Sequence, residues 1–305
     1  MTGVQTCALP ILNDNNGHGT NMAGVVTYGN LEKKLVSNDN FEVNHRLESM
    51  KILPDEGSND RELYGAITID AVSTLYIENP KRKRIICMAV TDMESESDNG
   101  IPTSWSAAID ESASGYIDKK QKLYIISAGN TVYREKEIYP DKNTISAVES
   151  PGQAWNCITV GAFTEKDRMN FENYGLRETM AKSGALSPYS RTSMLYDRNW
   201  PIKPEVVFEG GNLLKDGENW FGCEELSVLT LDNNIRKNQF TCFNGTSSAT
   251  AFASEFAAKL QARYKDAWPE TIRGLMIHSA EWTPEMENQF KEDNRKISYR
   301  KLLRT

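Results

Sequence analysis

Apolar and polar positions alternate along the chain in blocks that predict strands and helices in turn. Short apolar runs predict strands at 43–53, 85–90, 123–127, 157–163 and 205–208. Apolar residues at helical spacing predict helices that begin near His18 and span 61–78, 104–117, 247–264 and 268–279. Strands that alternate with helices of this length are typical of a mostly parallel sheet with helices on both faces. The pattern therefore predicts an α/β fold whose ligands bind beyond the carboxyl ends of the strands.

Length and composition narrow the class of protein. The chain has 305 residues, enough for one large domain or two small ones, and its 39 % apolar and 25 % charged residues are typical of a globular protein. A net charge of −7 gives no electrostatic reason to bind nucleic acid or an anionic membrane. The basic run 81–84 has no interleaved aromatic residues and is interpreted as a solvated loop. No apolar run approaches the ~18 residues of a membrane helix.

The cysteines and the acidic clusters give little support for a metal or a disulfide. The five cysteines are widely spaced without a C-x-x-C pair, and Cys87 and Cys157 lie inside apolar runs. This usage slightly favours a reducing compartment and hence the cytoplasm. The acidic stretch 92–99 (DMESESDN) fits no calcium-loop spacing and is interpreted as a solvated loop. Calcium stays possible without support from the sequence, and no metal or other cofactor is predicted.

Three stretches of small residues frame polar side chains that could carry chemistry. They are 17–20 (GHGT), 127–130 (SAGN) and 244–249 (NGTSSA). Each also fits a structural role, as a histidine near a helix start, a Gly-Asn turn and a serine that caps a helix. A serine at a helix amino terminus additionally meets free backbone N–H groups and the positive end of the helix dipole. That environment suits a nucleophile whose product is an oxyanion.

In this order, on an alternating α/β chain, the three stretches resemble the motifs of subtilisin-like serine peptidases. HGTxxAG at 18–24 and NGTSxA at 244–249 carry the resemblance, which extends over nearly all of 13–279. It implies a three-layer subtilisin-like fold and a serine endopeptidase that works through an acyl-enzyme. It also implies that His18 is the general base, that Ser247 is the nucleophile, and that Asn130 and the Ser247 N–H bind the oxyanion.

The resemblance further implies where a protein or peptide substrate lies. Its backbone would pair with Ala89, Val90 and Thr91 on one side. On the other side Ser127, Ala128 and Gly129 would pass along it and form a wall of the pocket for the residue before the cut. Some relatives are thought to act with an ATPase that supplies substrates, so a partner of that kind is a further hypothesis.

The chain departs from the family at its amino end. The family order of catalytic residues is Asp, His, Ser, and Asp14 is the only candidate ahead of His18. It is too close in sequence to reach behind the imidazole, so we expect it to line the substrate cleft. We therefore expect the first strand and its Asp to be absent and this chain to be nearly inert. In subtilisin, loss of that Asp alone costs ~3 × 10⁴ in turnover.

The expected organisation is one peptidase domain at 12–285. Residues 1–11 (MTGVQTCALPI) resemble translated adapter sequence and are interpreted as non-native. Residues 286–305 are expected to be a linker or the start of a further carboxyl-terminal region.

Two other functions are alternatives to the serine endopeptidase. An inactive pseudo-peptidase would keep the cleft as a peptide-binding or regulatory module, although the intact His18, Asn130 and Ser247 argue for an enzyme. An α/β-hydrolase esterase is excluded because the chain has no G-x-S-x-G motif and its His precedes its Ser.

Overall fold

The computed structural model describes residues 14–37, 40–93, 99–175, 177–291 and 297–305. Its helices are α1 His18–Tyr28, α2 Leu31–Val36, α3 Tyr64–Glu78, α4 Ser104–Ser114, α5 Asp141–Thr144, α6 Phe171–Tyr174, α7 Thr246–Arg263, α8 Pro269–His278, α9 Pro284–Gln289 and α10 Tyr299–Arg304. Its strands are β1 Ile85–Met88, β2 Leu123–Ser127, β3 Ile158–Thr164, β4 Glu178–Thr179, β5 Ala185–Leu186, β6 Val206–Glu209, β7 Leu214–Asp216, β8 Asn219–Phe221, β9 Val228–Leu231 and β10 Phe240–Phe243.

The central sheet is mostly parallel. Strands β1, β2, β3 and β6 pair in parallel in that order, and the short strand β5 adds an antiparallel pairing to the end of β3. The predicted strands at 85–90, 123–127, 157–163 and 205–208 correspond to these four, within two residues at each end. The predicted α/β class with a mostly parallel sheet is confirmed.

Alternating side chains of the strands build two cores, one on each face of the sheet. In β2, Leu123 and Ile125 face the helices α7 and α8, where small alanines of α7 allow close packing. Tyr124 and Ile126 point to the other face, where α3 and α4 lie. Both faces of β2 are therefore buried, which gives its continuous apolar run and the three-layer architecture.

The prediction of a strand at 43–53 was wrong. This segment has no ladder partner and is held by side chains instead. Glu48 pairs with Arg82 and Arg84, and Ile52 packs against the α3–α4 core. Ile52 is the one residue of the segment that packs against this core, while Val43, Leu47 and Leu53 are exposed. A strand needs a neighbouring backbone edge, which an apolar pattern alone does not reveal.

A close approach between α1 and β9 sets the position of the first helix. Gly24 in α1 lies against Thr230 and the backbone of Leu231, so a methyl group there would overlap the Thr230 hydroxyl. The same hydroxyl donates to the carbonyl of Asn21 at 2.7 Å. Only glycine at position 24 lets the helix pack this closely, and His18 begins that helix.

The carboxyl-terminal segment packs against the central sheet. Met286 of α9, Phe290 and Leu302 of α10 form a buried cluster with Leu186 of β5. Arg304 donates to the carbonyl of Ser193 at 2.9 Å. The boundary expected at 285 stays a prediction, and the segment 1–11 lies outside the described residues.

Candidate active site

The amino termini of α1 and α7 bring His18 and Ser247 together. Nε2 of His18 lies 3.2 Å from Oγ of Ser247 although 229 positions separate them in the chain. The ring of Phe243 meets the imidazole edge-on with centroids 5.6 Å apart. The histidine is thus held from one side while its Nε2 faces the hydroxyl.

Asp14 has a structural task at the start of α1. Its carboxylate accepts the N–H of Gly17 at 2.8 Å and of Thr20 at 2.6 Å, two donors that the first turn of a helix leaves free. Gly17 adopts the left-handed region at φ 87°, which turns the chain into the helix. Asp14 therefore fixes the entry of α1, and it makes no hydrogen bond to the imidazole.

The electrostatics of His18 favour its neutral form. Burial lowers the pKa of His18, and the negative charge of Asp14 offsets part of that effect. For Asp14 itself burial alone would raise the pKa, but the hydrogen bonds from Thr20 and Gly17 outweigh it and hold the pKa below its usual value. Within the described ranges, no carboxylate accepts a hydrogen bond from Nδ1 of His18.

The start of α7 is arranged around Asn130. Gly245 precedes the helix at φ 88°, and a side chain there would press on the Asn130 amide. Oδ1 of Asn130 accepts the backbone N–H of Thr246 at 2.8 Å, and it shares the Thr246 hydroxyl, at 3.1 Å, with the carbonyl of Gly129, at 3.0 Å. The amide nitrogen of Asn130 is left to donate elsewhere, because its oxygen is committed to Thr246. Beside it, the N–H of Ser247 has no acceptor among the described residues.

The neighbouring Ser248 faces another way. It is fully buried, and its hydroxyl donates to the carbonyls of Glu209 and Gly245 at 3.1 and 3.0 Å. Adjacent helix positions point ~100° apart, so only one of the two serines can meet the histidine. That serine is Ser247.

The residues expected to flank a substrate lie at the carboxyl edge of neighbouring strands. Ala89, Val90 and Thr91 directly follow β1, while Ser127 ends β2 and is followed by Ala128 and Gly129. Met88 and Ile126 are partners in the parallel ladder, so the two segments leave the sheet side by side. The substrate-binding role of these six residues stays a prediction.

Sequence reasoning missed Glu149 and Arg191. Glu149 lies next to the second of these segments, and its backbone N–H donates to the carbonyl of Ala128 at 3.0 Å. Arg191 donates from Nε to the carbonyl of Asn130 at 3.0 Å. Neither residue stands in a recognisable spacing, and only their isolated charges in otherwise small-residue stretches could have drawn attention to them.

In the described part of the chain, no three side chains of His, Cys, Asp or Glu are placed to share a metal ion. Part of the acidic stretch 92–99 lies outside that part, at 94–98. None of the described helices combines the length and apolarity needed to span a bilayer.

Comparison with known proteins agrees with this architecture. The model of the subtilase family matches residues 9–299. The curated protein y4bN of Sinorhizobium fredii (strain NBRC 101917 / NGR234), which is uncharacterised, is 29 % identical over 214 residues. That match covers 65 % of this chain and 48 % of y4bN, so the chain spans about half the length of this relative.

Two solved structures share the fold. Sphericase is 21 % identical with a TM-score of 0.56, and the S41 psychrophilic protease is 20 % identical with a TM-score of 0.56. Each match covers 88 % of this chain and 70 % of the other. At this identity the likeness establishes the fold only. The family match over most of the chain, together with the fold, means that this chain belongs to the subtilase family of serine peptidases.

Proposed function

We propose that the protein is a serine endopeptidase that cleaves proteins or peptides through an acyl-enzyme. Oγ of Ser247 attacks the scissile carbonyl while Nε2 of His18 takes its proton. His18 returns that proton to the leaving amine, and water then releases the acyl group by the same route. The oxyanion is held by the amide nitrogen of Asn130 and the N–H of Ser247.

One observation carries the proposal. The Ser247 hydroxyl lies 3.2 Å from Nε2 of His18, at the start of an 18-residue helix. The free N–H groups and the dipole of that helix favour the negative charge that develops on the substrate oxygen. A pair of this kind is the minimum that nucleophilic catalysis by serine requires.

The acidic partner of His18 is a separate part of the proposal. A carboxylate at Nδ1 would hold the imidazole in its working tautomer, and the described residues place none there. We therefore expect slow turnover from residues 1–305, about 10⁴-fold below that of a complete triad. Turnover at the usual rate of such enzymes would contradict this part and leave the roles of His18 and Ser247 standing.

The test is covalent labelling and cleavage with two serine variants. A fluorophosphonate should label the chain at Ser247, and Ser247→Ala should abolish both labelling and the cleavage of a fluorogenic peptide. Ser248→Ala is the matched control, because it removes a neighbouring hydroxyl that has no contact with His18. Equal cleavage by the parent and Ser247→Ala would overturn the proposal.

The alternative is a peptide-binding or regulatory pseudo-peptidase. The lack of a carboxylate at Nδ1 of His18 among the described residues favours it, since a base without its acidic partner is weak. Peptide binding in the complete absence of labelling at Ser247 would favour this alternative. A partner ATPase is a further proposal, tested by whether such a protein co-purifies with the full-length relative.

A further inference from the structure

The buried carboxylate of Glu149 lies against both expected substrate segments. The side chain of Glu149 is 5 % exposed. Its Oε2 accepts the hydroxyl of Thr91 at 2.6 Å. The same oxygen lies so close to Gly129 that a methyl group on that residue would overlap it. Glu149 thus lies against Thr91 on one segment and Gly129 on the other.

This carboxylate is incompletely satisfied. Nη2 of Arg191 lies 2.6 Å from Oε1, yet that buried oxygen accepts no well-aligned hydrogen bond from the described residues. The contact is therefore an ion pair without a directed N–H. Each carboxylate oxygen can accept two hydrogen bonds, so acceptor sites remain on both. A buried acceptor without a donor costs free energy that a ligand can recover.

Arg191 is committed to other partners. Its guanidinium donates to the carbonyls of Asn130 at 3.0 Å and Ala147 at 2.9 Å. It therefore ties the Asn130 backbone in place and compensates Glu149 from the side, and it does not fill the gap. Burial raises the pKa of Glu149, and Arg191 and Thr91 offset only part of this, while the charge of Asp92 acts in the same direction as burial. Arg191 therefore pairs with Oε1 only, and Oε2, which meets Thr91, has no cation beside it among the described residues.

We propose that the pocket for the residue before the cut ends on the Glu149 carboxylate and selects lysine or arginine there. The proposal rests on the proposed function, because it places the substrate between the segments that contain Thr91 and Gly129. A lysine side chain passing between them would bring its ammonium to the free acceptor sites of Glu149. An uncharged side chain of the same length would leave those sites unsatisfied.

The experiment compares two product-like peptides that differ only in the charged group. Acetyl-Ala-Ala-Lys and acetyl-Ala-Ala-norleucine, each with a free carboxyl end, are titrated against the Ser247→Ala protein. A charge-assisted hydrogen bond predicts that the lysine peptide binds about 10- to 100-fold more tightly. Equal or tighter binding of the norleucine peptide overturns the proposal, whatever any further variant does.

Two substitutions locate the effect. In Glu149→Gln the lysine-to-norleucine affinity ratio should fall to near one, because the neutral amide no longer prefers a cation; any general loss of peptide binding lowers both affinities and cancels in the ratio. Asp216→Asn is the control. It removes a carboxylate at the end of β7 that pairs with Arg177, outside the expected substrate segments. An unchanged ratio in Glu149→Gln would mean that another group selects the cation and would overturn the assignment.

The two proposals can fail separately. If the parent protein cleaves no peptide but the lysine preference depends on Glu149, the proposal for Glu149 is supported and the proposed peptidase activity is refuted. If Ser247 is labelled and peptides are cut after norleucine as readily as after lysine, the peptidase stands and the role of Glu149 does not.

Discussion

Two substitutions can separate the proposed oxyanion-binding role of Asn130 from its structural role at the start of α7. In the structure its oxygen accepts the backbone N–H of Thr246 and shares the Thr246 hydroxyl with the carbonyl of Gly129, and its nitrogen has no acceptor among the described residues. Asn130→Ala removes both functions. Asn130→Asp keeps an oxygen for Thr246 and replaces the donor with a second acceptor. If Asn130 binds the oxyanion, both variants lose activity, but only the alanine variant loses stability.

The expected magnitudes follow from these contacts. Loss of two partly buried hydrogen bonds should cost Asn130→Ala about 1–3 kcal/mol in the free energy of unfolding. Asn130→Asp should stay near the parent or gain about 0.3–1 kcal/mol, because a carboxylate is favourable at the amino terminus of α7. Removal of an oxyanion donor costs ~10²–10³ in kcat in subtilisin, and we expect at least this loss for both variants.

The assays are urea unfolding and kcat for a fluorogenic peptide. The rates are compared across the neutral and alkaline pH range, so that a shifted pKa of His18 cannot imitate the loss of the donor. If Asn130→Asp keeps kcat within about three-fold of the parent, Asn130 serves only to hold the start of α7, and the oxyanion assignment is refuted.

Four further outcomes follow from individual contacts. Because burial lowers the pKa of His18, the acidic limb of kcat/KM should lie below the pKa of about 6.5 of a free histidine, and Asp14→Asn should move it lower still; a limb that moves upward would contradict this. The neutral His18 also makes the fold less stable as pH falls below about 6.5, where the unfolded chain binds the proton more readily, and urea titrations at several pH values measure this. Gly24→Ala should lower stability by about 1–3 kcal/mol because the added methyl group overlaps β9, whereas Gly274→Ala, with open space around it on α8, should gain up to about 1 kcal/mol in the same unfolding assay. Leu302→Ala should cost about 2–5 kcal/mol in a single unfolding transition if the carboxyl-terminal segment folds with the sheet, while a transition unchanged from the parent would mark that segment as a linker.

Much of the fold could be predicted from local pattern. The strand β2 was predicted with its observed bounds, and the main helix α7 within one residue at each end. Neighbouring elements bury both, and the apolar or small residues that this burial requires can be recognised in the sequence. The segment 43–53 shows the limit, since Ile52 packs against a core while Val43, Leu47 and Leu53 stay exposed and no strand forms. The small sheet formed by β4, β7 and β8 was not predicted, because short polar strands show no clear alternation of apolar and polar residues.

The sequence by itself determined the class of fold and the motifs around His18, Asn130 and Ser247. Periodicity and small-residue frames are local properties, and they remain readable in a linear chain. Only the tertiary structure decided that Asp14 caps α1 and that Glu149 lies against both Thr91 and Gly129. These roles depend on which charges are buried together, and burial is a property of the folded chain.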